Sequence, residues 1–131
     1  MPKPKILIIE DEAAILRALS RVFEGEGFTT VTATNGAQGL STALREKPDL
    51  IILDIVMPGM NGMTMLGELR KENEAWCKVV PVVAYTNLNY HEVRDEARDL
   101  NITKYLIKSD VALGELIDEV KRILRLGVAR R

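Results

Sequence analysis

The chain has 131 residues, 47% of them hydrophobic and 28% charged, with a formal net charge of −1. That length suits a single domain able to bury about two-thirds of its unfolded surface, and the composition excludes a mostly disordered chain. The near-zero charge supplies no field for nucleic acid or an anionic membrane, so direct binding of either is not expected.

The start, "MPKPK", is basic, but the "ILII" that follows is too short for a signal-peptide core and runs at once into "EDE". "KILII" (5–9) reads as a strand. "EAAILRALSRVFEGEG" places Ile15, Leu19 and Val22 at helical spacing, with Gly25 and Gly27 as stop signals. "FTTVTAT" (28–34) reads as a second strand. Asn35 can cap "GAQGLSTALREK", where Ala37, Leu40 and Leu44 form a stripe that Pro48 ends. "DLIIL" (49–53) is a third strand and "GMTMLGELRKEN" (62–73) a helix. "VVPVVAY" (79–85) is a fourth strand, with Trp76 and Cys77 in the loop before it. The fourth helix, "NYHEVRDEARDL" (89–100), is polar, with only Tyr90, Val93, Ala97 and Leu100 on one face. "ITKYLI" (102–107) is the last strand. A strongly amphipathic fifth helix (110–126) carries Leu113, Leu116, Ile117, Val120 and Leu124, a stripe expected to face the sheet. The terminal "RLGVARR" reads as a short basic, solvated tail.

Five strands thus alternate with five helices, and no repeat or linker interrupts them. Three strands are apolar on both faces, as parallel strands between helix layers must be. The pattern predicts an α/β fold with an open parallel sheet and helices on both sides. Pro81 is a mild objection within a strand pattern, met if it lies near the strand start. Cys77 is the single cysteine, so neither an internal disulfide nor a cysteine metal site is available. No apolar run approaches the roughly 20 residues of a membrane span. A soluble cytoplasmic protein is expected.

Sites in such sheets form beyond the carboxyl ends of the strands. Glu10, Asp11 and Glu12 follow the first strand, Asp54 the third, Thr86 the fourth and Lys108 the fifth. Clustered carboxylates repel one another, and a divalent cation relieves that repulsion. Oxygen-only donors favour Mg²⁺ over Zn²⁺. Asp11 and Asp54 would supply carboxylates, Glu10 could hold a metal-bound water, and the backbone carbonyl of Val56 could add an oxygen. A carboxylate in that setting can act as a nucleophile on phosphorus. The Lys108 ammonium and Thr86 hydroxyl could then each take a phosphoryl oxygen. No Ser/His pair, HExxH, P-loop or GxGxxG appears. Glu12 also suits the first turn of a helix as a dipole partner.

The segments "ILIIEDE", "PDLIILDIVMPGMNG", "PVVAYT" and "KYLIK", in this order and spacing, closely resemble the CheY-like receiver domain of bacterial two-component response regulators. The resemblance spans about residues 4–126 of a single 1–131 receiver domain. It implies a flavodoxin-like (βα)5 three-layer sandwich with strand order 2-1-3-4-5. It implies that Asp54 accepts a phosphoryl group from a sensor histidine kinase or phosphotransfer protein, with Mg²⁺ as cofactor. Glu10 and Asp11 match the acidic pair, Thr86 the switch hydroxyl, Tyr105 the switch aromatic and Lys108 the lysine. Pro58 and Gly62 match the turn and helix start after the phosphoacceptor. The implied output is a change in the surface of the fourth helix, fifth strand and fifth helix. That surface would regulate a downstream protein target and could serve a homodimer. The implied chemistry is Mg²⁺-dependent self-phosphorylation and self-dephosphorylation, not turnover of a substrate.

The sequence departs from the family pattern in places. Asn87 stands where a small residue is usual and would narrow access to the phosphoryl site. Ser109 stands where proline is usual, so a trans Lys108–Ser109 bond is expected. Val56 offers no polar group to orient a water, which predicts a long-lived phosphoryl group. A haloacid-dehalogenase-like hydrolase would need a second Asp at the Val56 position. An interaction module that never uses phosphate is the remaining alternative, and the complete acidic–Asp–Thr–Lys set argues against it. His91, on a polar helix, reads as surface. The chain ends soon after the fifth helix, as a stand-alone receiver or as a fragment of a longer regulator.

Overall fold

The apolar runs read from the sequence pair into one five-stranded parallel sheet, ordered β2-β1-β3-β4-β5, in a computed structural model that describes residues 3–125. The strands are β1 (Lys5–Ile9), β2 (Thr29–Ala33), β3 (Leu50–Leu53), β4 (Val82–Thr86) and β5 (Lys104–Ile107). The helices are α1 (Ala13–Gly25), α2 (Gly36–Glu46), α3 (Gly62–Arg70), α4 (Ala75–Val79), α5 (Tyr90–Asp99) and α6 (Leu113–Ile123). Residue 126 of the expected last helix and the basic tail 127–131 lie outside the described residues. No helix among the described residues is long and apolar enough to cross a membrane.

Strand side chains alternate between the two faces, and the core divides accordingly. Ile6, Ile8, Leu50, Ile52, Val83 and Leu106 pack with Leu16, Leu19 and Phe23 of α1 and with Leu116 and Val120 of α6. Leu7, Ile9, Ile51, Leu53, Val82 and Ala84 face the other way, toward α2, α3, α4 and α5. A central strand so placed has no polar face, which explains the continuous apolar runs of β1 and β3. Pro81 lies just before β4. Its carbonyl accepts the Ile51 N–H at 3.0 Å, so it joins the ladder through the one group proline retains.

Three local expectations are corrected. The buried stripe of α1 is Leu16, Leu19 and Phe23, while Ile15 and Val22 are only half-buried. The apolar stripe is wide, and packing of Phe23 against Phe28 (ring centroids 5.5 Å apart) sets the rotation. On α2, Leu40 and Leu44 pack half-buried against the core, but Ala37 is exposed and the fully buried positions are Gly36, Gly39, Thr42 and Ala43. A side chain at Gly39 would collide with Ile9, so α2 lies close against β1. Trp76 and Cys77 are not in a loop but in the short helix α4, making six helices rather than five. Cys77 is fully buried, and the Trp76 indole N–H donates to the Pro48 carbonyl at 3.0 Å.

The side chains of Asn35, Asn61 and Asn89 cap α2, α3 and α5 by accepting N–H groups of the first turn. By contrast, α5 is held down by little: Val93 and Ala97 are its buried residues. Leu116 and Val120 of α6 are buried, and Leu113, Ile117 and Leu124 pack against the same core, so its stripe faces the sheet.

Candidate functional site

The sheet ladder continues one residue past the strands and fixes the site. The Glu10 N–H donates to the Ala33 carbonyl at 3.0 Å, Asp54 N–H to Ile9 at 3.0 Å and Lys108 N–H to Thr86 at 2.9 Å. Thr86 is the last residue of β4. Glu10, Asp54, Thr86 and Lys108 therefore stand on one edge because four neighbouring strands end there.

All four are shielded from water. Glu10 is 1% exposed, Asp54 6% and Thr86 fully buried, and Lys108 is half-buried. Burying carboxylates is costly unless they are paired. Lys108 Nζ supplies the pairing, 2.5 Å from Glu10 Oε1 and 2.9 Å from Asp54 Oδ2. The remaining Glu10 oxygen accepts the Glu12 N–H at 3.1 Å, and Asp54 Oδ1 accepts the Val56 N–H at 3.2 Å. Burial raises the Glu10 carboxyl above its usual range, and Asp54 adds repulsion; the hydrogen bonds from Lys108 and Glu12 oppose this. Burial alone would lower Lys108, but its bonds to Glu10 and Asp54 outweigh burial and raise it. Lys108 is thus an ammonium at any physiological pH.

Asp11 and Glu12 sit exposed at the rim. Glu12, expected in the first turn of a helix, instead takes the N-cap position just before α1, and its side chain makes no capping hydrogen bond. One carboxylate oxygen from each of Glu10, Asp11 and Asp54 lies within 4.8 Å of the others. An all-oxygen, multiply anionic cluster of this size fits a hard divalent cation such as Mg²⁺. A cavity of about 450 Å³ opens beside it, lined by Asp11, Asp54, Val56, Thr86, Asn87 and Lys108 among others. Val56 is 58% exposed at this mouth, an unusual place for a valine.

The segment after Asp54 is shaped by backbone needs. Ile55 and Met57 turn inward and are buried. Gly59 adopts φ +74, a left-handed conformation that glycine takes without strain. At Gly62 a Cβ would run into the Asp54 carbonyl and lie 2.8 Å from Ile55 Cα, so glycine lets α3 begin against the site.

Two links run outward from Thr86. The Leu88 N–H donates to Thr86 Oγ1 at 3.3 Å, and the Leu88 carbonyl accepts the Tyr105 hydroxyl at 2.8 Å. Tyr105 is half-buried, its ring edge-on to Tyr90 with centroids 5.1 Å apart. Leu88 as the bridge between Thr86 and Tyr105 is not legible from sequence, since backbone groups do the bridging. His91 is exposed, as expected. Among the described residues the peptide bonds are trans, Lys108–Ser109 included.

The response regulator receiver domain model matches residues 6–121. Sporulation initiation phosphotransferase F of Bacillus subtilis is 34% identical over 96% of this chain and 98% of that protein. Transcriptional regulatory protein CusR of Escherichia coli is 36% identical over 95% of this chain but only 53% of that protein. The chain spans about half the length of several of the curated relatives it matches. Among solved structures, a two-component response regulator from Clostridium difficile superposes with a TM-score of 0.83 at 28% identity, covering 94% of this chain and 97% of that one. The chain, with its CheY-like fold and the acidic edge just described, belongs to the response regulator receiver domain family.

Proposed function

We propose that this single domain is a phosphorylation-controlled switch in which Asp54 accepts a phosphoryl group from a histidine kinase or phosphotransfer protein. The observation that carries this is the pairing of a buried, strand-end Asp54 with Lys108 beside Glu10 and Asp11, at a cavity that Thr86 also lines. Asp54 is the nucleophile. Lys108, already 2.9 Å from its oxygen, neutralises charge on the incoming group. Glu10, Asp11, Asp54 and the Val56 carbonyl would hold Mg²⁺, which when bound supplies a positive charge for the phosphoryl oxygens. Thr86 Oγ1 donates to the phosphoryl group. Its loss from the Leu88 N–H loosens the Thr86–Leu88–Tyr105 chain, and Tyr105 moves inward.

The readout is the surface of α5, β5 and α6, presented to a downstream protein target or to a second copy. The sparse apolar anchoring of α5 supports a mobile element there. The exposed valine at position 56, where a hydrolase of the aspartyl-phosphate class needs an acid, supports a switch over an enzyme.

Adding Mg²⁺ and beryllium fluoride, a phosphoryl mimic, tests this. Amide spectra should shift at Asp54, Thr86, Leu88 and Tyr105 and along α5. Spectra unchanged at those residues, or shifted equally in Asp54→Ala, would refute it.

A further inference from the structure

Asn87 and Ser109, two positions where the sequence departs from the family pattern, meet in space. Asn87 is the first residue past β4, and Ser109 the second past β5. The Ser109 N–H donates to Asn87 Oδ1 at 2.9 Å. Proline at 109 would carry no such donor. The bond ties the loop leaving β4 to the loop leaving β5. Both loops border the cavity over Asp54, to which Thr86, Asn87, Leu88 and Lys108 contribute.

Asn87 is exposed, and an exposed side chain ordinarily keeps its rotamer freedom. Here its oxygen is committed to a backbone donor, so the amide stands as a fixed wall at the cavity mouth. The same bond restrains the residue directly after Lys108, whose ammonium contacts Asp54.

We propose that this clasp sets the lifetime of the phosphoryl group on Asp54, with Asn87 as a positioning residue. The inference rests on Asp54 being the phosphoacceptor. In hydrolysis, a water oxygen bonds to phosphorus and the bond from phosphorus to the Asp54 oxygen breaks. The carboxylate leaves with the bonding pair. One water proton stays on the new phosphate oxygen and the other passes to solvent. The attacking and leaving oxygens must lie roughly in line, so water approaches from the open mouth. Asn87, held by Ser109, narrows that approach from one side, while Val56 offers it no polar guide.

The test phosphorylates the full chain with a low-molecular-weight acyl phosphate and Mg²⁺, removes the donor and follows label loss. Asn87→Ala and Ser109→Pro should each speed the loss roughly three- to tenfold, the effect of one lost hydrogen bond. The double variant should be no faster than the faster single variant, because both changes break the same bond. Hydrogen exchange at the Ser109 amide, measured without any phosphoryl group, should be slow in the wild type. It should quicken in Asn87→Ala and stay slow in Asn87→Asp, which keeps the acceptor. Multiplying effects in the double variant, or unchanged Ser109 exchange in Asn87→Ala, would overturn the clasp. Failure of the wild type to take label overturns the phosphoacceptor role instead, and the exchange data still judge the bond.

Discussion

The ammonium of Lys108 lies 2.5 Å from the carboxylate of Glu10, a residue 98 positions away in the chain. With Asp54 at 2.9 Å on its other side, one cation serves two buried carboxylates. Removing it strands both. Lys108→Met should therefore destabilise the metal-free protein by about 2–4 kcal/mol in denaturant unfolding. Mg²⁺ should restore more stability to this variant than it adds to the wild type, since the cation takes over the lost charge. Equal Mg²⁺ stabilisation of the two proteins would show that the lysine and the metal do not share a role.

Asp11 is the exposed member of the acidic group and the one free to meet a cation first. Asp11→Asn should weaken Mg²⁺ binding by roughly tenfold or more, about 1.4 kcal/mol, while leaving unfolding in metal-free buffer nearly unchanged. Isothermal titration against denaturant curves separates the two effects. A loss of stability without a loss of affinity would make Asp11 a structural residue.

Tyr105 carries a signature in alkali. Burial, then repulsion from Asp54 and Glu92, pushes its phenol from 10.0 up to about 12. The folded state thus binds the proton more tightly than the unfolded state. The stability this confers is fully present below pH 10 and is lost as pH rises through 12. Phenolate absorbance should show one late-ionising tyrosine, and Tyr105→Phe should delete that phase. Retention of the phase in Tyr105→Phe would assign it elsewhere.

Arg70 shows what sequence does not disclose. Its guanidinium donates to the carbonyls of Cys77, Val80, Leu100 and Asn101, closing the ends of α4 and α5 onto α3. Burial lowers its pKa, and the planar fork suits four acceptors that an ammonium cannot reach together. Arg70→Lys should cost about 2–3 kcal/mol in unfolding, close to the cost of Arg70→Met. Full rescue by lysine would mean that charge, not the fork, is what counts.

What was legible divides along the same line. β1, β3 and β4 were plain because both their faces are buried, and the strand order then brought Glu10, Asp54, Thr86 and Lys108 to one edge. α4 was missed because "AWCKV" is too short for a helical period and Glu74 offers no side-chain cap. The rotation of α1 was missed because Ile15, Leu16, Leu19, Val22 and Phe23 make a stripe wide enough for two facings. The Leu88 bridge and the Asn87–Ser109 bond each have a backbone group as one partner, and residue type carries no mark of such a group.

The most direct test of the switch is where a phosphoryl group lands. The full chain should be incubated with Mg²⁺ and a low-molecular-weight acyl phosphate, then digested and mapped by mass spectrometry. We predict one added phosphoryl group, on Asp54, absent in Asp54→Ala and absent when the metal is chelated. Modification that persists in Asp54→Ala, or no modification of the wild type, would contradict the account.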